Sequence, residues 1–145
     1  VIRALLDANV LASGFAGFRD RSSTPGEVVR RWQRRTFEVV VSEHLIAEVL
    51  GTLREAYFRR QVSSAQSSRA AALLRFRAIP TAIIAEVHGV ATHPEDDLIL
   101  ATAVSAKADY LVTGDTKLLG LESYEGVRIV SPRAFLDRLE SQAGE

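Results

Sequence analysis

Apolar and polar positions along this chain fall into two periods. Five short runs are continuously apolar and rich in β-branched residues: VIRALL (1–6), FEVVVS (37–42), TAIIAEV (81–87), YLVTG (110–114) and VRIVS (127–131). That pattern predicts strands buried on both faces. Longer stretches of helical period lie between them. TPGEVVRRWQRR predicts a helix with Thr24 as N-cap, Pro25 at its first position and Glu27 completing a capping box. A second helix runs from Ser42 through EHLIAEVLGTLREAYF, with Leu45, Ile46, Val49, Leu50, Leu53 and Tyr57 on one stripe. Helices are also predicted over 63–78, ending before Pro80, over 95–107, apolar nearly all round, and over SPRAFLDRLE, with Pro132 at its start. FAGFRDRSS (15–23) reads as a mobile loop, and no internal repeat, linker or low-complexity tract interrupts the chain.

Strands that alternate with helices imply a single domain over 1–145, of α/β class. The expected architecture is three layers, α/β/α, around a mostly parallel sheet of roughly five strands. Ligands in such sheets bind at the carboxyl ends of the strands, where strand order reverses. With 145 residues, 47% of them hydrophobic, the chain buries a core without disulfides or a structural metal. It has no cysteine, which excludes a thiol nucleophile, a disulfide framework and thiolate-bound metal. No stretch is long and apolar enough to span a bilayer, and Asp7 interrupts the only N-terminal apolar run, unlike a signal peptide. The expectation is a soluble, cytoplasmic protein with no membrane association.

Net charge is zero, but its distribution is uneven. Residues 19–77 carry twelve Arg against six acids, whereas residues 78–145 carry five basic residues against eleven acids. Arg outnumbers Lys sixteen to two, and its planar fork suits bidentate phosphate contacts. A solvated helical surface explains the same pattern and, on charge alone, is the better reading.

The acids carry more information. Asp7 directly follows the first predicted strand, and Asp115 follows the fourth. Glu48 lies in the first two turns of the helix leaving the second strand, on the border of its apolar stripe. Asp97 opens the buried helix after the third strand. Each has an ordinary structural reading: Asp7 and Asp115 as caps or turn residues, Glu48 as a border residue, and Glu95, Asp96 and Asp97 as partners of a helix dipole. Together they gather like charges at one rim, where carboxylates raise each other's pKa unless a cation neutralises them. Oxygen-only ligation selects Mg²⁺ or Mn²⁺ over zinc.

LLDANVLASG, the mid-helix acid of SEHLIAEVL, EDDLILATAVSAKADYLVTGDTKLL and the closing VRIVSPRAFL resemble the PIN-domain family, particularly its bacterial and archaeal toxin-like members. The resemblance covers nearly the whole chain, in order. By it, the family's acidic residues fall on Asp7, Glu48, Asp97 and Asp115, with Asp96 auxiliary and Asn9 a supporting residue. Ala8 departs from the Thr or Ser of many members, which removes a hydroxyl beside the site but no metal ligand. The resemblance implies a Mg²⁺- or Mn²⁺-dependent endoribonuclease that hydrolyses RNA with a metal-activated water, leaving a 5′-phosphate and a 3′-hydroxyl. Thr113 is placed to hydrogen-bond a water or phosphate, and Arg30, Arg31, Arg34 and Arg35, around Trp32, are the first candidates for RNA contact. Trp32, at helical spacing with Val28 and Val29, also fits the core. An antitoxin partner and a homodimer are further implications of the resemblance.

Two rival readings remain at this level. LLDANVL and TGDTKLL also resemble the haloacid-dehalogenase phosphatases, but Asn9 stands where those enzymes need an acid that donates a proton. The other rival is a rim that binds RNA or a partner without cutting. His44, His88 and His93 match no zinc spacing and are read as structural or solvent-facing. Of the three consecutive acids, Glu95 is assigned to the helix dipole, Asp96 to both roles and Asp97 to the site.

Overall fold

The computed structural model describes residues 1–91 and 93–143. Its elements follow the order β1 (Arg3–Leu6), α1 (Ala8–Ala16), α2 (Thr24–Gln33), β2 (Glu38–Val41), α3 (Glu43–Leu53), α4 (Ala56–Arg59), α5 (Ser64–Phe76), β3 (Ile79–Pro80), α6 (Pro94–Ser105), β4 (Tyr110–Val112), α7 (Thr116–Leu121), β5 (Ser123–Tyr124), β6 (Val127–Val130) and α8 (Pro132–Ala143). The sheet has the order β3-β2-β1-β4-β6-β5 and is parallel throughout except for β5 against β6. It is the expected α/β class, with six strands where about five were predicted. Order reverses between β1 and β4, so the residues after these two strands stand at the point where such sheets bind ligands.

The predicted strand at 81–87 does not form. Pairing ends at Pro80, on the edge of the sheet, where a residue without an N–H is tolerated. The chain then leaves the sheet, and the Ile84 and Ala85 amides donate to Ser105 Oγ, both at 3.0 Å. A side chain thus replaces the missing ladder. β5, only two residues long, carries too little pattern to have been read.

Helix boundaries shift by local phase. Ser23, not Thr24, caps α2, its Oγ accepting from the Gly26 amide at 3.0 Å. Glu27 instead pairs with Arg30 and Arg31. The capping box belongs to α5, between Ser63 and Gln66. The helix from Ser42 stops at Leu53 and restarts as α4, which resets the phase so that Phe58 is buried and Tyr57 is 69% exposed. Residues 15–23 are not the loop expected throughout: Phe15 and Ala16 close α1, and Arg30 Nη1 donates to the carbonyls of Gly17, Phe18 and Asp20.

The core joins Leu5, Leu6 and Leu111 of the sheet to Leu11, Val29, Val49, Leu100 and Phe135 of the helices, with Trp32 among them. α1 and α2 cross closely at Gly14, where an added Cβ would stand 2.8 Å from the Pro25 carbonyl oxygen and strike Val29. Gly14→Ala is therefore expected to destabilise the fold by about 1–3 kcal/mol through overpacking, against the small gain Ala normally brings to a helix. Urea unfolding of the two proteins measures it.

Candidate metal centre

Asp7 leaves β1 at its carboxyl end, and its amide donates to the Val112 carbonyl of β4, which fixes the two strand ends side by side. The residue is 9% exposed. Its Oδ1 accepts from the Ala8 amide at 2.7 Å, making it the cap of α1, and its Oδ2 accepts from the Thr113 hydroxyl at 2.8 Å. Thr113 is wholly buried, and its Oγ1 also accepts from the Asp115 amide at 3.0 Å. One hydroxyl therefore sets the relative position of two carboxyl-bearing residues on adjacent strand ends. Asp115 caps α7 through Oδ1, which accepts from the Lys117 amide at 2.8 Å and the Leu118 amide at 3.4 Å. The capping roles expected of Asp7 and Asp115 are thus real, and both residues also line a shared cleft.

That cleft, about 510 Å³, is bounded by Asp7, Ala8, Asn9, Glu48, Thr52, Glu95, Asp96, Ile99, Gly114 and Asp115. A larger cavity, about 670 Å³, lies between α3 and α5 and is lined by apolar residues, serines and two arginines, with no carboxylate. Chemistry, not size, marks the smaller one.

The expectation that Asp97 faces the rim with the other acids is corrected by the structure. Asp97 turns to the segment before α6, where its carboxylate accepts from the amides of Gly89 at 3.0 Å, Val90 at 3.1 Å and Ala91 at 2.6 Å. Gly89 has φ +69°, the left-handed conformation that lets this turn present its amides to one anion. The Ala91 amide above all holds the Asp97 carboxyl below its ordinary value, against the opposing effect of burial. The acid of α6 that lines the cleft is Asp96, with Glu95 beside it and Ile99 one turn on. Successive helical residues are about 100° apart, so Asp96 and Asp97 cannot share a face.

Electrostatics reflect this gathering. Burial pushes Asp7 above the usual carboxylate value; Thr113 and Ala8 pull it back, while the charges of Asp96 and Asp115 push it further up. Asp96 is raised by burial and then by Asp115. Glu48 is raised chiefly by burial, opposed by His44, with Glu95 and Asp7 adding repulsion. This donor set, oxygen-only and charged beyond what hydrogen bonds offset, fits a hard divalent cation.

The arginines are placed differently from the expectation. Arg30 and Arg31 are committed to Glu27, to the 17–20 carbonyls and to Glu140. Arg34 and Arg35 are exposed just before β2 begins, at the amino edge of the sheet. The site rim lies about 13 Å away along four-residue strands. Trp32 is core. Among the histidines, His44 lies with Nε2 2.6 Å from Glu48 Oε1, closer to the site than a solvent-facing role implied. No helix of the described residues is long and apolar enough to cross a membrane.

Comparison with known proteins agrees with this geometry. No curated protein matches the sequence at a significant level. Among solved structures, VapBC2 from Rickettsia felis, bound to a DNA fragment from their promoter, matches with TM-score 0.57 and 12% identity, over 90% of this chain and 98% of that one. VapC20 from Mycobacterium tuberculosis, a sarcin-ricin loop cleaving toxin, matches with TM-score 0.55 and 19% identity, over 86% and 98%. At these identities the likeness is one of fold, and it sets aside the phosphatase rival together with the family result. The PIN domain family matches residues 3–117, which include Asp7, Glu48, Asp96 and Asp115, and the chain belongs to that family.

Proposed function

We propose that this PIN domain is a Mg²⁺- or Mn²⁺-dependent endoribonuclease, with Asp7, Asp96, Asp115 and Glu48 as the residues that hold the cation. The observation that carries the reading is the convergence of these carboxylates on one cleft at the strand-order switch, with three of them raised above their ordinary values. A bound divalent cation supplies charge that offsets the acids and the phosphate and makes water more acidic. The protein's own groups do the rest. Thr113 and the Ala8 amide fix the Asp7 carboxylate, and the Asp115 cap fixes the fourth strand end. In-line attack by water at phosphorus then forms the new P–O bond and breaks P–O3′, with the proton that the water loses passing to bulk water and the departing O3′ taking one up, which leaves a 5′-phosphate and a 3′-hydroxyl.

Likeness in fold to a sarcin-ricin loop cleaving toxin and to VapBC2 supports RNA as the substrate and a toxin role with a small antitoxin as partner; a homodimer is proposed on the family resemblance alone. Incubation of total RNA with the purified protein and Mn²⁺ tests the reading. Discrete fragments ending in 5′-phosphate, absent when the metal is chelated, are expected. Intact RNA across a panel of structured and unstructured substrates would favour a domain that binds without cutting.

A further inference from the structure

Glu48 also belongs to a second group of donors at the edge of the cleft. His44 and Glu48 are one helical turn apart on α3, and Glu95 sits in the first turn of α6. One ligand-type atom from each of the three lies within 4.8 Å of the other two. His44 Nε2 and Glu48 Oε1 are 2.6 Å apart, and both atoms are sealed from solvent although their side chains are 39% and 21% exposed. Neither atom has an aligned hydrogen bond among the described residues.

That combination is informative. A ring N–H directed at the carboxylate would satisfy both atoms, yet the contact is short and off-axis. Two donors at right angles on one ion, each about 2.1 Å from it, stand roughly 3 Å apart. The His44–Glu48 spacing is close to that of a ligand pair, and the i, i+4 relation keeps both on one helix face. Imidazole nitrogen is a poor ligand for Mg²⁺ and a good one for first-row transition ions, whose affinity for mixed N/O sites rises along the series from Mn²⁺.

We propose that His44, Glu48 and Glu95 form a second cation subsite, specific for a first-row transition ion over Mg²⁺ and joined to the oxygen-only site through Glu48. It rests on the reading of the rim as a cation centre only where the two share Glu48. Nothing in the oxygen-only site calls for nitrogen, so a nitrogen signal separates them.

Mn²⁺ is the probe, read by pulsed electron paramagnetic resonance on the full chain. Nitrogen-14 modulation from one imidazole is expected in the wild type and in Asp96→Asn, which leaves this subsite intact. His44→Gln should abolish the modulation and weaken that Mn²⁺ ion roughly tenfold or more, with Mg²⁺ affinity unchanged. Mn²⁺ bound without nitrogen coupling in the wild type, or coupling that survives His44→Gln, overturns the subsite. If cleavage and Asp96-dependent metal binding persist in that case, the nuclease reading stands without it. Nitrogen-coupled Mn²⁺ in a protein that cuts no RNA keeps the subsite and removes the nuclease, whereas no Mn²⁺ binding at all overturns both.

Discussion

Asp96→Asn is expected to raise the melting temperature of the metal-free protein and to cancel the further rise that Mg²⁺ gives the wild type. Asp96 has no hydrogen bond to lose among the described residues, and burial together with Asp115 disfavours its charge. Neutralising it therefore relieves repulsion at the rim. The gain is small, about 1–3 °C, because the group is only partly buried and water screens much of the repulsion. The loss is larger: Mg²⁺ at a hundred times its dissociation constant contributes about 2.7 kcal/mol, on the order of 5–10 °C for a chain of this size. Asp97→Asn should do the reverse, lowering the metal-free melting temperature by releasing the Gly89, Val90 and Ala91 amides while keeping the Mg²⁺ response.

The two acids also have opposite pH signatures. Asp7, Glu48 and Asp96 have raised values, so between the unfolded and folded pKa the native state binds more protons than the unfolded one. Their cost to stability is full above the folded values and disappears as pH falls below the unfolded ones, and Mg²⁺ affinity falls over the same window. Asp97 is lowered, so its contribution is present above the unfolded value and is lost as pH falls through the folded one. Differential scanning fluorimetry from neutral pH to acid, with and without Mg²⁺, reads both. Asp96→Asn with an undiminished Mg²⁺ shift would remove Asp96 from the site.

Thr113→Val is the second large effect. The substitution keeps shape but deletes the hydroxyl that donates to Asp7 and accepts from the Asp115 amide. Asp7 then loses the hydrogen bond that most opposes burial, so its carboxyl pKa rises further and protons compete more strongly with the cation for it. Metal affinity is expected to fall about 10–100-fold, as for other residues that orient ligands. The stranded Asp115 amide adds a stability cost of about 1–3 kcal/mol. Thr113→Ser, which restores the hydroxyl, should recover most of the affinity. Equal affinities in Val and Thr forms would reduce Thr113 to a packing residue.

Much of the architecture was legible because the strong strands are continuous apolar runs at the centre of the sheet. β1, β2 and β4 are buried over nearly their whole length with no polar alternation to blur them, and β6 alternates only at the exposed Arg128. The edges were not legible: β3 is two residues ending at a proline, β5 is two residues long, and in the apolar run at 81–87 the Ile84 and Ala85 amides donate to the Ser105 side chain rather than to a strand. Asp7, Glu48 and Asp115 could be placed from topology, since each lies at or near a strand end whose edge is fixed by parallel pairing. Asp96 and Asp97 could not be told apart in that way. Which of two neighbours faces a cleft depends on helix phase, and the start of α6 is set by the turn at Gly89–Ala91 that captures Asp97. The local hint was Gly89, two residues after a run of strand-like residues and eight before the acid it helps to bind. His44 meets Glu48 one turn along the same helix, a contact that the search for zinc spacings among the histidines did not look for.

Calorimetric titration of Mg²⁺ into the wild type, Asp96→Asn and Asp97→Asn, side by side at neutral pH, tests the oxygen-only centre most directly. Binding to the wild type and to Asp97→Asn, and none to Asp96→Asn, is the predicted result. Binding retained by Asp96→Asn and lost by Asp97→Asn would contradict the assignment of the four carboxylates, and with it the active site proposed for this chain.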